Sequence, residues 1–219
     1  MKQTEHPKIF EDRGRFYTIN LVKGVKVYGE RLYKDRGVEY RQWDIKKSKL
    51  AAAIKKGIKK TGFKQGDVIL YLGSASGTTT SHVSDIVGNK GLIFALEFAP
   101  RVMRDMLFMC KQRKNIAPIL ADAHQPEKYK DKMCMVDFIF QDIAQKDQAE
   151  IFIRNCDLFL KNKGLAMIAI KSRSIDITKK PRQIYKEVEN KLKKNLEIID
   201  FKTLDPFEKD HCVFLCKKR

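Results

Sequence analysis

Four side chains able to do chemistry stand where apolar runs stop. Glu97 follows the run 92–96, Asp122 follows 116–120, Asp142 follows 136–141 and Lys171 follows 164–170. Carboxylates at such points accept hydrogen bonds from hydroxyls and amines, and a lysine there can hold a proton or take one. Ahead of them, residues 67–83 read Asp-Val-Ile-Leu-Tyr-Leu-Gly-Ser-Ala-Ser-Gly-Thr-Thr-Thr-Ser-His-Val. The apolar, partly β-branched run 68–72 suits a buried strand. Gly73, Ala75 and Gly77 carry the chain through a tight turn, and Thr78, Thr79 and Thr80 open a helix whose free N–H groups their hydroxyls can cap. A strand, a small-residue turn and a helix N-terminus form a cradle for a nucleotide-like ligand.

The spacing is Gly-x-Ala-x-Gly, not Gly-x-Gly-x-x-Gly, and Glu97 lies 20 residues beyond Gly77. Dinucleotide folds place an acid at that distance to hold ribose hydroxyls. S-adenosylmethionine carries a ribose without a pyrophosphate, so a short turn with hydroxyls suits it at least as well as a dinucleotide.

The elements that must position these groups alternate. Strands are expected at 68–72, 92–96, 116–120, 136–141 and 164–170, with a helix opened by Pro100 and another capped by Asp147. Such alternation implies an α/β fold with a parallel sheet and helices on both faces. A basic helix from Pro181 to about Lys194 follows, then strands at 196–202 and 211–216 whose short connection allows an antiparallel hairpin at the sheet edge. Residues 1–45 read differently, as a small β-rich N-terminal domain ahead of a larger domain at 46–219. Short β-like runs at 9–10, 16–19, 25–30 and 38–41 are punctuated by Gly14, Gly24 and Gly37. Ser48 is a plausible N-cap, and Leu50, Ile54 and Ile58 recur four apart, predicting a helix that ends near Gly62.

Composition bounds the partners. With 219 residues, 43% of them hydrophobic, the chain can form one sizeable domain and a small one. No apolar run approaches the roughly 18 residues of a membrane span, so no membrane partner is expected. The N-terminus lacks an apolar signal region. Five scattered cysteines show neither zinc spacing nor a disulfide framework, so no metal is expected and an intracellular setting is the natural reading. Cys212 and Cys216 fit one face of a terminal strand. The net charge of +18, from 45 basic against 27 acidic residues, favours nucleic acid; heat adaptation would raise Lys and Glu together. The basic runs Lys46-Lys47-x-Lys49, Lys55-Lys56, Lys59-Lys60 and Lys179-Lys180-x-Arg182 carry no base-reading motif, so phosphate contact without sequence choice is expected. His6, His82 and His124 are expected at the surface or at caps.

Specific segments now converge: Val27-Tyr28-Gly29-Glu30, Glu39-Tyr40-Arg41-Gln42-Trp43, Ser48-Lys49-Leu50-Ala51-Ala52-Ala53-Ile54, Tyr71-Leu72-Gly73-Ser74-Ala75-Ser76-Gly77-Thr78-Thr79, Glu97-Phe98-Ala99-Pro100-Arg101, Asp122-Ala123, Asp142-Ile143-Ala144-Gln145, Lys171-Ser172-Arg173-Ser174-Ile175-Asp176 and Asp205-Pro206-Phe207. Nearly end to end, the chain resembles the fibrillarin family in its short archaeal form, without a glycine- and arginine-rich extension. Ile45 stands where that family usually has proline.

The resemblance implies a Rossmann-like S-adenosylmethionine-dependent methyltransferase fold, with a mostly parallel seven-stranded sheet whose last strand is antiparallel. It implies guide-directed 2′-O-methylation of ribose in rRNA and possibly tRNA. S-adenosyl-L-methionine would lie on the turn of Gly73, Ala75 and Gly77 and meet Thr78, Thr79, Glu97, Phe98, Asp122, Ala123, Asp142 and Gln145. A tetrad of Lys49, Asp142, Lys171 and His211 would act on the hydroxyl. Lys171 is the candidate base or orienter, Lys49 supplies a neighbouring charge, Asp142 holds the lysines, and His211 positions Lys171 or the ribose. The implied partners are a box C/D guide RNA, the target RNA, a Nop-family scaffold protein and, through the particle, a kink-turn-binding ribosomal-protein-like subunit. Exposed apolar groups on the N-terminal domain and first helices would serve as partner surface. The implied location is cytoplasmic, or nucleolar in a eukaryote. The alternative is a non-catalytic RNA-binding assembly subunit of the same particle.

Overall fold

Two sheets organise the chain in a computed structural model that describes residues 1–59 and 62–219. Lys60, in the basic pair with Lys59, lies outside the described residues. The first sheet is antiparallel, built from β1 (Lys2–Gln3), β2 (Ile9–Asp12), β3 (Arg15–Ile19), β4 (Leu32–Asp35) and β5 (Val38–Trp43) in the order β1-β2-β3-β5-β4. Arg13-Gly14 and Arg36-Gly37 close two-residue hairpins with φ of 48° and 77°, and 48° and 80°. Two consecutive positive φ values match the twist of the flanking strands, which is why glycine takes the second place.

The run 25–30 is not the strand its residues suggested. Glu30 turns back and accepts hydrogen bonds from the N–H groups of Val27 and Tyr28, at 3.1 and 2.9 Å. These local bonds replace a sheet ladder. Helix α1 (Lys49–Lys55) starts where expected, since the Ser48 hydroxyl accepts from Ala51 N–H at 3.2 Å. It stops earlier than Gly62. Gly57 adopts φ of 74° and donates to Ile54 O, while Ile58 donates to Ala53 O. This paired motif ends the helix and still delivers Ile58 to the core.

The second sheet holds β6 (Val68–Leu72), β7 (Leu92–Glu97), β8 (Ile116–Leu120), β9 (Val136–Gln141), β10 (Leu160–Lys171), β11 (Leu196–Thr203) and β12 (His211–Lys218), ordered β11-β12-β10-β9-β6-β7-β8. β12 runs antiparallel to both neighbours and the other pairings are parallel. The expected mostly parallel sheet with its antiparallel last strand is therefore present. Side chains alternate between two cores. Ile69, Tyr71, Phe140, Met167 and Val213 face α1, α2 (Thr78–Val87) and α3 (Pro100–Gln112). Leu70, Leu72, Ile168, Cys212 and Cys216 face α4 (Gln148–Phe159) and α5 (Pro181–Asn195). Both cysteines share one buried face, as read from their spacing. Ile45 packs against the first core. The strand order reverses between β6 and β9, so a crevice is expected beyond their carboxyl ends.

A buried charge network joins the first sheet to α2. Arg41 pairs with Glu30 at 2.6 Å and Asp85 at 2.8 Å, and Arg113 pairs with Asp85 at 2.6 Å. His82 is a correction to its expected surface place: it is wholly buried, stacked on Trp43 with ring centroids 4.9 Å apart. Burial first, then the charges of Arg41 and Arg113, push its imidazole far below its ordinary pKa. Thr18 donates its hydroxyl to Asp85 and so accepts from His82 Nδ1, leaving Nε2 to meet the Tyr28 hydroxyl at 2.7 Å. His6 is buried too. The exposed large apolar side chains are likewise not where the first reading put them. Leu107 and Phe108 lie on the outer face of α3, whereas among the described residues of β1 to β5 and α1 none is both large, apolar and exposed.

Candidate cofactor and catalytic site

The carboxyl ends of β6 to β10 gather the groups singled out above. After β6 the chain turns at Gly73, where a Cβ would lie 2.4 Å from the Asp142 carbonyl oxygen and 2.6 Å from Ile143 Cγ2. Any side chain there would force apart the loops that follow β6 and β9. Ala75 holds φ of 49° and donates its N–H to Glu97 Oε2 at 2.9 Å. Gly77 is the N-cap of α2 and brings no side-chain cap. The threonine hydroxyls do not cap the helix as expected, because Thr79 Oγ1 donates to Ser48 Oγ at 2.9 Å instead. The first N–H groups of α2 stay open to an anion.

Glu97 is held by three backbone N–H groups, from Ala75, Phe98 and Ala99. Its side chain therefore stands in one orientation at the tip of β7. Phe98 beside it is 67% exposed, a flat apolar face in solvent. Asp122 follows β8 and accepts from both the N–H and Nδ1 of His124, at 2.9 and 2.8 Å. Burial pushes the Asp122 carboxyl up, but the two His124 bonds outweigh it and hold the group below the usual range. His124 is partly exposed and forms a bridge, since its Nε2 meets Asp147 at 3.0 Å. Burial opposes its charge, yet the two carboxylates together raise its pKa. Asp147 sits at the N-cap position of α4 but makes no capping bond there. Gly73, Ala75, Glu97, Phe98, Asp122, Ala123, Asp142 and Gln145 line one cleft of about 310 Å³. A larger cleft of about 550 Å³ lies between the loop 25–28 and α3. Convergent polar groups, more than volume, distinguish the smaller one.

The four tetrad candidates arrive in two pairs. Lys49 Nζ and Asp142 Oδ2 are 2.9 Å apart, both partly exposed. Lys171, last residue of β10, stands directly opposite His211 in the β10–β12 ladder. Its ammonium has no hydrogen bond or ion pair among the described residues, so the pairs do not touch through Lys171 and Asp142. His211 Nδ1 donates to Lys209 O at 2.7 Å, which fixes the ring. The basic runs are partly committed inside the chain: Lys55 pairs with Glu11 and Lys179 with Glu187. Among the described residues no group of three His, Cys, Asp or Glu side chains is placed to hold a metal.

The sequence model of the fibrillarin family matches residues 2–219. The chain belongs to the fibrillarin family. It is 51% identical over 212 residues to the fibrillarin-like rRNA/tRNA 2′-O-methyltransferase of Pyrococcus horikoshii, a match covering 96% of this chain and 93% of that one. Among solved structures, Aeropyrum pernix fibrillarin in complex with natively bound S-adenosyl-L-methionine superposes with a TM-score of 0.87 at 50% identity, covering 92% of this chain and 88% of that chain. The fibrillarin of a fibrillarin/Nop5p complex superposes with a TM-score of 0.91 at 36% identity, covering 99% and 100%.

Two site residues of this chain escaped the sequence reading. Gln148 is fully buried at the start of α4; it accepts from Lys171 N–H at 3.2 Å and donates to Gln145 O at 2.7 Å. Its signal was a polar residue on the apolar stripe of α4. Tyr71 is buried beneath the turn, close enough to Thr79 and Asp142 for both to act on its phenol. Inside an apolar strand run it gave no sign of that role.

Proposed function

We propose that this chain is an S-adenosylmethionine-dependent RNA ribose 2′-O-methyltransferase, working in a guide-RNA-directed box C/D ribonucleoprotein on rRNA and tRNA. The observation that carries this reading is the Lys49–Asp142 pair beside a cleft whose walls hold Glu97, Phe98 and Asp122. The cofactor complex of the Aeropyrum pernix relative and the Nop5p complex of another support it.

The residues fit S-adenosylmethionine. Gly73 keeps the turn low, Glu97 suits a ribose diol, Phe98 offers a stacking face for adenine, and Asp122 can accept from the adenine amine. Gln145 and the backbone of Ala123 and Asp142 complete the wall. The open N–H groups of α2, at Thr78 and Thr79, suit the methionine carboxylate. When bound, S-adenosylmethionine supplies an electrophilic sulfonium methyl. As the free amine Lys171 would take the proton that the ribose hydroxyl loses, and as the ammonium it would orient that hydroxyl. His211 holds Lys171 or the ribose. Asp142 fixes Lys49 and would supply the negative charge that a bound sulfonium favours.

The same reading divides the chain into a β-rich N-terminal domain, 1–45, and a Rossmann-like domain, 46–219. A Nop-family scaffold holds the chain in the particle, the guide RNA chooses the nucleotide by base pairing, and a kink-turn-binding subunit joins through the particle. The test is methyl transfer from labelled cofactor in the reconstituted particle, with the modified riboses mapped. Methylation at the guided 2′-hydroxyl is expected, with little by the chain alone, since partners supply positioning. A particle that assembles and binds cofactor but transfers no methyl group would leave the chain as an assembly subunit.

A further inference from the structure

Lys49 occupies its place through a chain of hydroxyls that no cofactor contact requires. It is the first residue of α1, directly after the N-cap Ser48. The Ser48 hydroxyl accepts from Ala51 N–H at 3.2 Å and from the Thr79 hydroxyl at 2.9 Å. Thr79 gives its only hydrogen to Ser48, and the Tyr71 phenol lies close enough for Thr79 to act on it. Ser48, Thr79 and Tyr71 are all buried. Burial, then the charge of Asp142, push the Tyr71 phenol well above its ordinary pKa, so it remains a donor. The circuit closes across the site, where Lys49 Nζ reaches Asp142 at 2.9 Å.

We infer that Thr79, with Tyr71 behind it, is a positioning residue for methyl transfer: its hydroxyl locks the N-cap of α1 to the cofactor-binding turn and so sets where the Lys49 ammonium meets Asp142. The inference rests on Lys49 and Asp142 belonging to the reacting constellation. It gives the two adjacent threonines different tasks, because the Thr79 hydroxyl is committed to Ser48 while the helix N–H groups remain for the ligand. A loose N-cap would let α1 shift, and a misplacement of about 1 Å can cost about a hundredfold in rate.

The test is single-turnover methylation in the reconstituted particle at saturating cofactor, with cofactor affinity of the same chains measured by calorimetry. Thr79→Val keeps the shape and removes the hydroxyl. The rate should fall by about tenfold or more while cofactor affinity moves by less than about twofold, the split expected when positioning alone is lost. Thr79→Ser should restore the rate. Tyr71→Phe should slow it less, since Thr79 still reaches Ser48. Thr79→Val added to Ser48→Ala should cost little more than Ser48→Ala alone, because both cut one link. A wild-type rate for Thr79→Val overturns the inference. So does a large loss of cofactor affinity with the saturated rate unchanged, which would make the hydroxyl a cofactor contact. Lys49→Ala separates the two failures. If it is slow while Thr79→Val is not, only the link is wrong; if it too runs at the wild-type rate, the reading of the site falls with the link.

Discussion

Two clusters of charge, one around Asp85 and one around Asp142, are built to opposite rules. Around Asp85, Arg41 and Arg113 are fully buried and every charge has its partner. Around Asp142, the Lys49 pair is 21% and 24% exposed, and the nearby Lys171 ammonium is left with no partner among the described residues. The first arrangement fixes the N-terminal sheet on α2. Its removal from water is costly unless every member is paired. The second keeps capacity in reserve, as a proton acceptor or a ligand for a polyanion must. The difference teaches that a paired, buried charge is evidence of assembly, while a tethered backbone with a free ammonium is evidence of chemistry.

Breaking one member of each cluster should show the contrast. Lys171→Ala should lower single-turnover methylation in the particle by about 100- to 10,000-fold, the range for a proton-transfer group. Its unfolding midpoint should stay near wild type, and Lys171→Arg should not rescue, because arginine holds its proton at neutral pH. Arg41→Ala should do the reverse. It leaves Glu30 buried without a counter-charge and Asp85 with Arg113 alone, at about 3–5 kcal/mol of stability by denaturant unfolding. If instead Lys171→Ala unfolds the chain and Arg41→Ala leaves its stability intact, the distinction between the clusters is wrong.

Smaller changes sharpen the comparison at the cofactor wall. Glu97→Ala removes the acceptor of three backbone N–H groups and should weaken cofactor binding by about 1–3 kcal/mol in calorimetry. Unchanged affinity would contradict the ribose assignment. The smallest expected effect belongs to the His124 bridge. The folded pKa of His124 is raised, so its contribution to stability is complete below the unfolded value of about 6.5 and is lost as pH rises through the folded value. The lowered pKa of Asp122 acts the other way: its contribution is present above about pH 4 and is lost as pH falls through the folded value. Wild type should therefore lose a small part of its stability above neutral pH that His124→Gln does not. Parallel pH profiles for the two chains would remove the bridge from the account.

Much of the frame was readable in one dimension. The apolar runs before Glu97, Asp122, Asp142 and Lys171 each stop within one residue of the end of their strand, although β10 starts four residues before its expected run, so strand ends and their polar residues could be paired without coordinates. Ser48 declared itself as a cap by residue type, and Pro181 as a helix start. Local hydrogen bonding misled the reading at 25–30, where Glu30 satisfies nearby N–H groups, and at Gly62, because Gly57 stopped α1 first.

The chain's periodicity, turn chemistry and charge by themselves determined an α/β sheet with a nucleotide-type crevice, an acid at the tips of β7, β8 and β9, a lysine at that of β10 and a surface suited to polyanions. These follow from spacing within one element or between neighbours. What only tertiary structure decided is where each polar side chain spends its hydrogen bonds. Lys49 meets Asp142 across 93 residues, Arg41 meets Asp85 across 44, and Thr79 turns from its own helix to Ser48 across 31. His82, unremarkable in sequence, became a core residue because Trp43 and Tyr28 fold over it. Periodicity says which face of an element is buried, but a polar group's partner depends on which distant element is packed against that face.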